Sequence, residues 1–309
     1  MFILSIMIPS FPEFTPLSID CREEMHPKLS LTPDGVSEFT FGGLFLFRER
    51  YQYRVSKLAD KTLIISGVKP LSVQGEKPES FFMTPCAAPG QGILERLFET
   101  HDYWKNISDS ILISGRERLE EWGIVFDEDR NNFDYLYLRS DLAELPGKKY
   151  HKKRNLVAQF LKSYTHSEKP LTKELIPEAM DVLENWRTGK AADGDYTACR
   201  EALEFFTELN MKGLMFYIDN KPAGWCLGEP VARGRMFTVH FEKGLECYKG
   251  IYQFINQAFA ATLPEYFIHI NREQDLGEEG MRQAKLTYRP SGFVRKYTGW
   301  REEGGTHEL

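Results

Sequence analysis

The feature that most restricts the fold of this 309-residue chain is one order of elements that occurs twice. In each half, short apolar strands lead into a glycine-containing loop, a helix, a strand, a second helix and a last strand. The loop contains Gly92 in the first half and Gly250 in the second. Sequence identity between the halves is low, so the repetition is one of pattern. It predicts two copies of one α/β unit.

The predicted elements follow from apolar periodicity, which is 3.6 residues for helices and two for strands. In the second half the predicted helices are Leu171–Arg187, Tyr196–Leu209, Ile251–Ala261 and Glu278–Thr287. The predicted strands there are Leu214–Ile218, Ala223–Gly228, Met236–Glu242, Tyr266–Asn271 and Phe293–Thr298. In the first half we predict the strands Leu63–Ser66, Phe81–Thr84, Ser110–Ile113 and Tyr135–Leu138, and the helices Ile93–Glu99 and Arg116–Trp122. The alternation indicates an α/β (α+β) fold class.

The composition is that of an ordinary globular protein with room for about two domains of ~150 residues. A net charge of −6 argues against a surface coated with basic residues for non-specific nucleic-acid binding. The five cysteines are scattered and form no C-x-x-C pair, and the histidines lack metal-ligand spacing. We therefore expect no metal site, no disulfide framework and a cytoplasmic location.

Seven of the first eight residues are apolar, and Pro9 follows them, without a basic region before them or a small-residue cleavage site after them. A signal peptide is not expected from this pattern. No apolar run approaches the ~18 residues that a membrane-spanning helix needs. We predict a chain without an integral membrane segment, and a peripheral membrane contact stays open.

The order of three strands, glycine loop, helix, strand, helix and strand resembles the Gcn5-related N-acetyltransferase (GNAT) fold. In that fold, backbone N–H groups at the loop-to-helix junction hold a pyrophosphate. The resemblance makes Lys249 and Gly250 candidate donor-binding residues. The alternative is that Gly250 serves only the packing of the helix start.

Four sequence blocks resemble the domain at the C-terminus of phosphatidylglycerol lysyltransferases, and above all its free-standing bacterial members. The blocks are Leu145–Asn155, Val239–Lys243, Tyr248–Asn256 and Asn271–Lys285. The family is similar to tandem GNAT proteins such as the Fem peptidoglycan aminoacyltransferases. The resemblance implies two tandem GNAT-like acyltransferase domains with mixed sheets. We place the first at residues 1–146, a basic bridging segment at 147–168, and the second, with the active cleft, at 169–309.

A polar corner follows the predicted strand that ends at Asn271. Arg272, Glu273 and Asp275 stand at the carboxyl end of this strand, where open α/β sheets bind ligands. Three cations on one face of the next helix complete the corner as donor-binding candidates, together with Asn271. They are Arg282, Lys285 and Arg289. A structural network of ion pairs is the alternative for the same residues.

A basic run precedes the second half, in which five of the seven residues from Lys148 to Arg154 are Lys or Arg. Positive charge at a helix start is disfavoured by the helix dipole, so the fold alone does not explain the run. We predict that it binds a polyanionic donor in a cleft between the domains, and a solvated helix start is the alternative. The donor-binding candidates in the run are Lys148, Lys149, Lys152, Lys153, Arg154 and Asn155.

Four residues are the candidates for catalysis of acyl transfer. Glu242 and Glu273 could act as bases or position water, or could instead pair with Lys243 or Arg272. For Asp275 the alternatives are binding an α-ammonium group and capping the next helix. Tyr288 could protonate a leaving oxygen, or could lie at the edge of the core.

The resemblance implies an acyltransferase, with transfer of an aminoacyl group from aminoacyl-tRNA to an amine or hydroxyl acceptor. The acceptor is expected to be a small molecule or a peptide, because the chain lacks the multi-helix membrane domain of the lipid-modifying enzymes. Two alternatives stay open: an acetyl- or acyl-CoA-dependent N-acyltransferase, and a non-catalytic binding protein that retains the fold. No tightly bound cofactor is expected, and tRNA is the expected macromolecular partner. The oligomeric state does not follow from the sequence.

Overall fold

A computed structural model describes residues 7–71, 77–188, 190 and 194–302. Most of the apolar N-terminal segment discussed above lies outside these residues. The chain forms two compact units. The first unit takes residues from 1–133 and from 294–309, and the second is Asp134–Phe293.

The bounds of the elements are as follows. The strands are β1 Thr15–Pro16, β2 Arg54–Lys57, β3 Leu63–Val68, β4 Ser80–Met83, β5 Tyr103–Ser108, β6 Ile124–Glu128, β7 Asp134–Leu138, β8 His166–Pro170, β9 Lys212–Ile218, β10 Lys221–Val231, β11 Met236–Gly244, β12 His269–Asn271, β13 Gly292–Val294 and β14 Lys296–Arg301. The α-helices are α1 Arg22–Leu29, α2 Phe41–Leu46, α3 Arg48–Tyr51, α4 Gln91–Phe98, α5 Asp109–Glu121, α6 Arg139–Glu144, α7 His151–Ser163, α8 Ile176–Arg187, α9 Tyr196–Glu204, α10 Phe206–Leu209, α11 Ile251–Thr262 and α12 Glu279–Leu286.

Each unit is built on a seven-stranded mixed sheet. The order in the first sheet is β1-β2-β3-β4-β5-β14-β6, and in the second it is β13-β7-β12-β11-β10-β9-β8. The pair β4 and β5 is parallel in the first sheet, and the pair β11 and β12 is parallel in the second. In each unit the glycine-preceded helix, α4 or α11, joins the two parallel strands, as the repeated order of elements predicts.

The two halves exchange one strand. We predicted Tyr135–Leu138 as the last strand of the first half, yet β7 pairs with β12 in the second sheet. The predicted strand Phe293–Thr298 is two strands, β13 beside β7 and β14 between β5 and β6. The units therefore divide at 133/134 and 293/294, whereas the predicted boundaries are 146/147 and 168/169. Apolar periodicity locates a strand but does not specify its partner, which is the reason for the difference.

The basic segment belongs to the second unit. It forms α7, which packs against α11 through a stacked pair of rings, Phe160 and Phe254, with centroids 4.5 Å apart. The core around α11 also takes residues from α6 and the sheet, such as Leu142 and Phe216. The position of α7 is therefore determined by its apolar face, which packs against α11, and not by its basic residues.

One predicted strand of the first half is helical. Ser110–Ile113 is the second to fifth residue of α5, whereas β5 ends at Ser108, directly before that helix. A run of four residues does not distinguish a strand from a helix by periodicity. Ile113 is 86% exposed, so this run is not a buried strand. Among the described residues, no helix combines the length and the apolar character needed to cross a bilayer.

Candidate functional site

A gap opens in the second sheet where its parallel pair stops pairing. β11 and β12 pair only from Met236 opposite His269 to Thr238 opposite Asn271. β11 continues to Gly244, while the chain after Asn271 leaves the strand. The turn passes through Glu273, whose φ is +57°, an uncommon conformation for a long side chain. Side chains from both strand ends therefore meet at the carboxyl edge of this pair.

A bulge in β11 determines which side chains face the gap. Leu227 lies opposite Phe241 and Gly228 opposite Val239, so His240 has no opposite partner on β10. At Gly228 the backbones of β10 and β11 approach closely: a Cβ there would lie 1.8 Å from the Thr238 carbonyl oxygen, so the bulge requires glycine at this position. Strict alternation along the predicted strand Met236–Glu242 would put His240 and Glu242 on one face. The bulge instead places Glu242, opposite Cys226, on the side of the sheet that carries Val239 and the α11 core.

Glu242 and Arg272 form an ion pair across the gap. Arg272 Nη2 donates to Glu242 Oε2 at 2.9 Å, and the two side chains are only 21% and 13% exposed. Burial raises the pKa of the Glu242 carboxyl, and the Arg272 guanidinium opposes part of that rise. A carboxylate with a raised pKa is a better proton acceptor than an ordinary surface glutamate. The sequence left two roles open for Glu242, a base or water-positioning group and an ion-pair partner. In the structure its carboxylate is paired with Arg272.

A tyrosine and a lysine complete this cluster. Lys153 Nζ lies 4.0 Å from the centroid of the Tyr288 ring, and Arg272 Cζ lies 5.9 Å from the same centroid. Burial lowers the pKa of the Lys153 ammonium, and the nearby Arg272 lowers it further. Burial raises the pKa of Tyr288, so its phenol is neutral at pH 7. Two cations beside one carboxylate leave a positive excess that favours a negatively charged group.

Asp275 is sealed inside the protein. Its side chain is fully buried and accepts hydrogen bonds from Tyr135 Oη at 2.6 Å, Arg282 Nε at 2.9 Å and Gly277 N at 2.9 Å. Burial would raise the pKa of this carboxyl, but the bonds from Arg282 and Tyr135 outweigh it and hold the pKa well below its usual range. α12 begins later, at Glu279, so Asp275 closes a turn before the helix. The carboxylate is thus used within the protein, whereas the two roles proposed for it from the sequence were binding an α-ammonium group and capping the next helix.

Lys285 and Asn271 support the turn that carries Arg272. Lys285 Nζ donates to the carbonyl oxygens of Arg272, Glu273 and Gln274 at 2.5, 3.0 and 2.7 Å. Asn271 is fully buried and accepts a hydrogen bond from Glu273 N at 2.7 Å. We predicted both as donor-binding residues. Their polar groups instead stabilise the backbone around the positive φ of Glu273.

Glu273 is tied to a histidine that the sequence analysis did not include in the site. His240 Nδ1 lies 2.7 Å from Glu273 Oε1, and Nε2 lies 3.1 Å from Glu229 Oε1. Burial alone would lower the pKa of His240, but the two carboxylates raise it to about 10. The imidazolium therefore donates from both nitrogens, and Glu273 is not a free base. The sequence feature that could have included His240 in the site is its position on the same strand as Glu242, two residues before it.

The basic run does not act as one surface. Lys149 pairs with Asp141 at 2.7 Å, and Arg154 donates to carbonyl oxygens at the end of α6, including Gly147 at 2.8 Å. Lys153 alone reaches the cluster at Tyr288. The remaining predicted donor-binding residues of the run and of the α12 end lie exposed at the surface: Lys148, Lys152, Asn155 and Arg289.

The start of α11 is covered. Gly250 has φ +91°, and a Cβ there would lie 3.1 Å from the Leu156 carbonyl oxygen on α7. Tyr164 Oη accepts the Lys249 N–H at 3.3 Å, and the Tyr248 carbonyl accepts the Ile251 N–H at 3.1 Å. These N–H groups are already hydrogen-bonded, so they are not available to a pyrophosphate.

The start of α4 in the first unit is open by contrast. Its N-cap is Gly90, which matches Gly250 in the second unit, whereas the predicted match, Gly92, lies inside the helix. A Cβ at Gly90 or at Gly92 would meet no described atom within 4 Å. Equivalent positions of the repeated fold are therefore covered in one unit and exposed in the other.

Two mixed sheets, each with a parallel pair joined by a glycine-preceded helix, define a protein of two tandem GNAT-like folds. The predicted fold class is confirmed. The chain belongs to the family described as phosphatidylglycerol lysyltransferase, C-terminal, whose profile matches residues 30–299. The predicted resemblance to that family is thereby confirmed.

Solved structures agree with this assignment. A conserved protein of unknown function from Bacteroides thetaiotaomicron is 28% identical with a TM-score of 0.79, over 96% of this chain and 100% of that one. L-PGS from Bacillus licheniformis is 12% identical with a TM-score of 0.56, over 97% and 95% of the two chains. FemX is 8% identical with a TM-score of 0.54, over 94% and 97%. The last two likenesses establish the fold alone. A comparison with curated protein sequences finds no match.

Proposed function

We propose that the protein transfers an aminoacyl group from aminoacyl-tRNA to an amine or hydroxyl of a small-molecule or peptide acceptor. The observation that carries the proposal is the buried Arg272–Glu242 ion pair at the open end of the parallel strands, with Lys153 and Tyr288 beside it. Acyl transfer needs a proton acceptor, stabilisation of an oxyanion and a proton donor for the leaving oxygen. This cluster contains one group of each kind.

The roles follow from the charges of the groups. Glu242 accepts the proton of the attacking amine or hydroxyl, because burial raises the pKa of its carboxyl. The Arg272 guanidinium stabilises the negative oxygen that forms when the ester carbonyl is attacked. When the carbon–oxygen bond to the ribose breaks, the neutral phenol of Tyr288 supplies a proton to the leaving oxygen. Lys153 holds an anionic group of the donor.

The closed start of α11 favours aminoacyl-tRNA over acyl-CoA in the second unit. A CoA donor in the GNAT manner needs free backbone N–H groups at this helix start. Here α7 covers Gly250, and the N–H groups of Lys249 and Ile251 are used within the protein. Exposed Lys148 and Lys152, just before α7 and in its first turn, add positive charge for a polyanionic donor.

An acyl-CoA-dependent activity is the second candidate, and one observation favours it. The start of α4 in the first unit is unobstructed at Gly90 and Gly92. A pyrophosphate could approach backbone N–H groups there. CoA binding that survives changes in the second unit would support this candidate.

The test compares the two donors directly. Aminoacyl-tRNA labelled on the amino acid, or labelled acetyl-CoA, is incubated with the protein and a mixture of cellular small molecules and peptides. Labelled products are then separated by chromatography. We expect label to move from aminoacyl-tRNA and not from acetyl-CoA. Glu242→Gln should abolish this transfer, whereas the control Glu246→Gln, at a 66%-exposed side chain on the following loop, should not.

Each other outcome has a defined meaning. Transfer from acetyl-CoA alone would replace the proposed donor with CoA. A folded protein that moves label from neither donor would support the third alternative, a binding protein that retains the fold without chemistry. Equal activity of Glu242→Gln and the parent protein would reject the proposed site.

A further inference from the structure

The first unit contains a groove of about 670 Å³ that the proposed transfer does not use. Two aromatic rings, Phe11 and Phe14, form part of its wall, and Arg54 and Arg96 lie along it. Ser66 and His101 also line the groove. It thus combines apolar surface, two guanidinium groups and a hydroxyl beside an imidazole.

Ser66 and His101 are brought together by the fold from separate elements. Ser66 lies in β3, opposite Arg54 on β2 and Phe82 on β4. His101 lies three residues after the end of α4. Ser66 Oγ and His101 Nε2 are 2.8 Å apart, which is within hydrogen-bonding distance. A nucleophile and a base at this distance form the core of serine-based acyl chemistry.

The hydrogen-bond partners determine the tautomer of His101. Its Nδ1 lies 3.0 Å from the carbonyl oxygen of Leu97, which can only accept a hydrogen bond. Nδ1 must therefore carry the proton, and Nε2 is left with a lone pair that accepts from the Ser66 hydroxyl. Thr100 Oγ1, at 3.0 Å from Nδ1, can accept a share of the same proton.

The surroundings keep the imidazole in place and neutral. The ring of Phe82 meets it edge-on at 5.7 Å, and the ring of Phe14 lies at 6.2 Å. Burial lowers the pKa of His101. A neutral, oriented imidazole with its free lone pair on a hydroxyl is arranged as a general base.

The charges of the groove indicate the class of ligand. The Arg96 guanidinium lies 4.8 Å from the Phe11 centroid, and Arg54 donates to the Phe14 carbonyl at 2.7 Å. Glu13 and Glu99 also line the groove, so its formal charge is zero and an anion would be bound by direct contact with a guanidinium group. An ester with an apolar body and a carboxylate fits two arginines beside two phenyl rings.

We propose that Ser66 is the nucleophile of a second catalytic site in this protein, activated by His101, that cleaves carboxylate-bearing esters. Ser66 Oγ attacks the ester carbonyl carbon, and its proton moves to His101 Nε2. The bond from the carbonyl carbon to the leaving oxygen breaks, and the imidazolium returns the proton to that oxygen. Water then attacks the acyl-serine with His101 as base, which releases the acid and restores Ser66. This activity is independent of the aminoacyl transfer proposed for the second unit.

The experiment uses the whole protein and two small probes. A fluorophosphonate should bond Ser66 Oγ to phosphorus with loss of fluoride, and peptide mass mapping should locate the adduct at Ser66. Hydrolysis of mono-p-nitrophenyl succinate, followed by release of p-nitrophenolate, tests turnover. The acetate ester, which lacks the carboxylate, should be cleaved at least about tenfold more slowly, a difference of about 1.4 kcal/mol.

Variants separate an activated serine from a structural hydrogen bond. Ser66→Ala should remove labelling at this position, and His101→Gln, which can still form a hydrogen bond, should slow labelling about 100-fold or more. Ser80→Ala is the matched control, because Ser80 lies on the next strand with its hydroxyl 2.9 Å from the Asp102 carboxylate. It should react like the parent protein.

Two results would overturn the proposal. The first is labelling of Ser66 at the same rate in folded His101→Gln protein, which would show that the imidazole does not activate the hydroxyl. The second is a folded parent protein in which the fluorophosphonate does not phosphonylate Ser66 and the succinate ester releases no p-nitrophenolate above the uncatalysed rate. In that case the Ser66–His101 hydrogen bond would have only a structural role, holding β3 to the turn after α4.

Discussion

Each unit has a residue with positive φ shortly after its pair of parallel strands, but the type of that residue and the hydrogen bonds around it differ between the units. In the first unit, Lys105 and Asn106 follow the last parallel pair, and Asn106 has φ +56°. In the second unit, Arg272 and Glu273 follow it, and Glu273 has φ +57°. A cation thus precedes a left-handed residue at the same point of each sheet.

The type of residue that has the positive φ explains why the second unit stabilises this conformation with additional hydrogen bonds. Asparagine adopts this conformation at low cost, whereas a glutamate there costs about 1–2 kcal/mol. The second unit offsets that cost with the Lys285 bonds to three carbonyl oxygens and with the bond from His240 to Glu273. Such support is expected where the orientation of one side chain, here Arg272, matters for function.

The largest effect should come from removing the cation in one unit and not in the other. Arg272→Ala should lower the rate of aminoacyl transfer about 1,000-fold, because it removes the group that stabilises the oxyanion. Lys105→Ala, at the equivalent position of the first unit, should change the rate less than about twofold. Initial rates of label transfer, on variants shown to be folded by thermal melting, test the difference. Equal losses in both variants would show that the units do not differ in this role.

A smaller effect is expected at the sealed turn of the second unit. Asp275→Asn should lower the free energy of unfolding by about 3 kcal/mol, because Arg282 loses its charged partner and one of the two acceptor oxygens becomes an NH2 donor facing Tyr135, Arg282 or Gly277. Urea denaturation measures the change. Glu204→Gln, which breaks the exposed pair with Arg200, should leave the unfolding free energy nearly unchanged. A stable Asp275→Asn protein that has lost transfer would instead return Asp275 to the catalytic residues.

The same carboxylate gives an acid dependence with a defined sign. The pKa of Asp275 is depressed in the folded protein, since the bonds from Arg282 and Tyr135 outweigh burial. Its contribution to stability is therefore present above the unfolded pKa of about 3.9 and is lost as pH falls toward the folded pKa. The parent protein should lose stability below pH ~4 more steeply than Asp275→Asn in the same urea experiment.

His240 should produce the opposite pH dependence. Burial lowers its pKa, but Glu229 and Glu273 raise it to about 10, which is above the unfolded value of about 6.5. The stabilisation is fully present below pH ~6.5 and is lost as pH rises through 10. Between pH 7 and 10 the parent protein should lose at least about 1 kcal/mol more than His240→Gln. Parallel curves for the two proteins would contradict a protonated His240.

The smallest effect is expected at the exposed lysines. Lys148→Ala with Lys152→Ala should leave the melting temperature nearly unchanged, because neither side chain is buried. Binding of tRNA, measured by fluorescence anisotropy, should weaken. The slope of the logarithm of the binding constant against the logarithm of salt concentration should become shallower, by the equivalent of up to about two phosphate contacts. The same changes at Lys169 and Lys173, exposed residues that follow α7 in the chain, should leave tRNA binding unaltered. Unchanged binding in the α7 variant would remove the basic run from the donor site.

The parts of the fold that local patterns determine were predictable. The core face of α11, its glycine start and the strand β11 were all located from periodicity and turn residues. The exchange of β7 and β14 was not, because pairing between distant segments leaves no mark on the spacing of apolar residues. The alternation of predicted strands and helices indicated the α/β class, and the family resemblance supplied the two tandem GNAT-like domains with mixed sheets.

The candidate site was predicted in part. Arg272, Glu242, Tyr288 and Lys153 were named and are brought together. The bulge at His240 could not be foreseen, since it depends on register with β10, and it alters the face on which Glu242 lies. The Ser66–His101 pair lies outside any recognisable motif, because serine and histidine 35 residues apart meet only through the sheet and the turn after α4.

The exchange of β7 and β14 also bears on synthesis at the ribosome. The position between β5 and β6 is filled by Lys296–Arg301, which is made 168 residues after Glu128 ends β6. At about 5–20 residues per second, roughly 8–34 s pass between the two events. During that interval β5 and β6 have emerged, but the strand that joins them is missing, so their edges are exposed to incorrect pairing. Protection of the nascent chain over this interval, by chaperones or by rapid elongation, is therefore a requirement that the topology imposes.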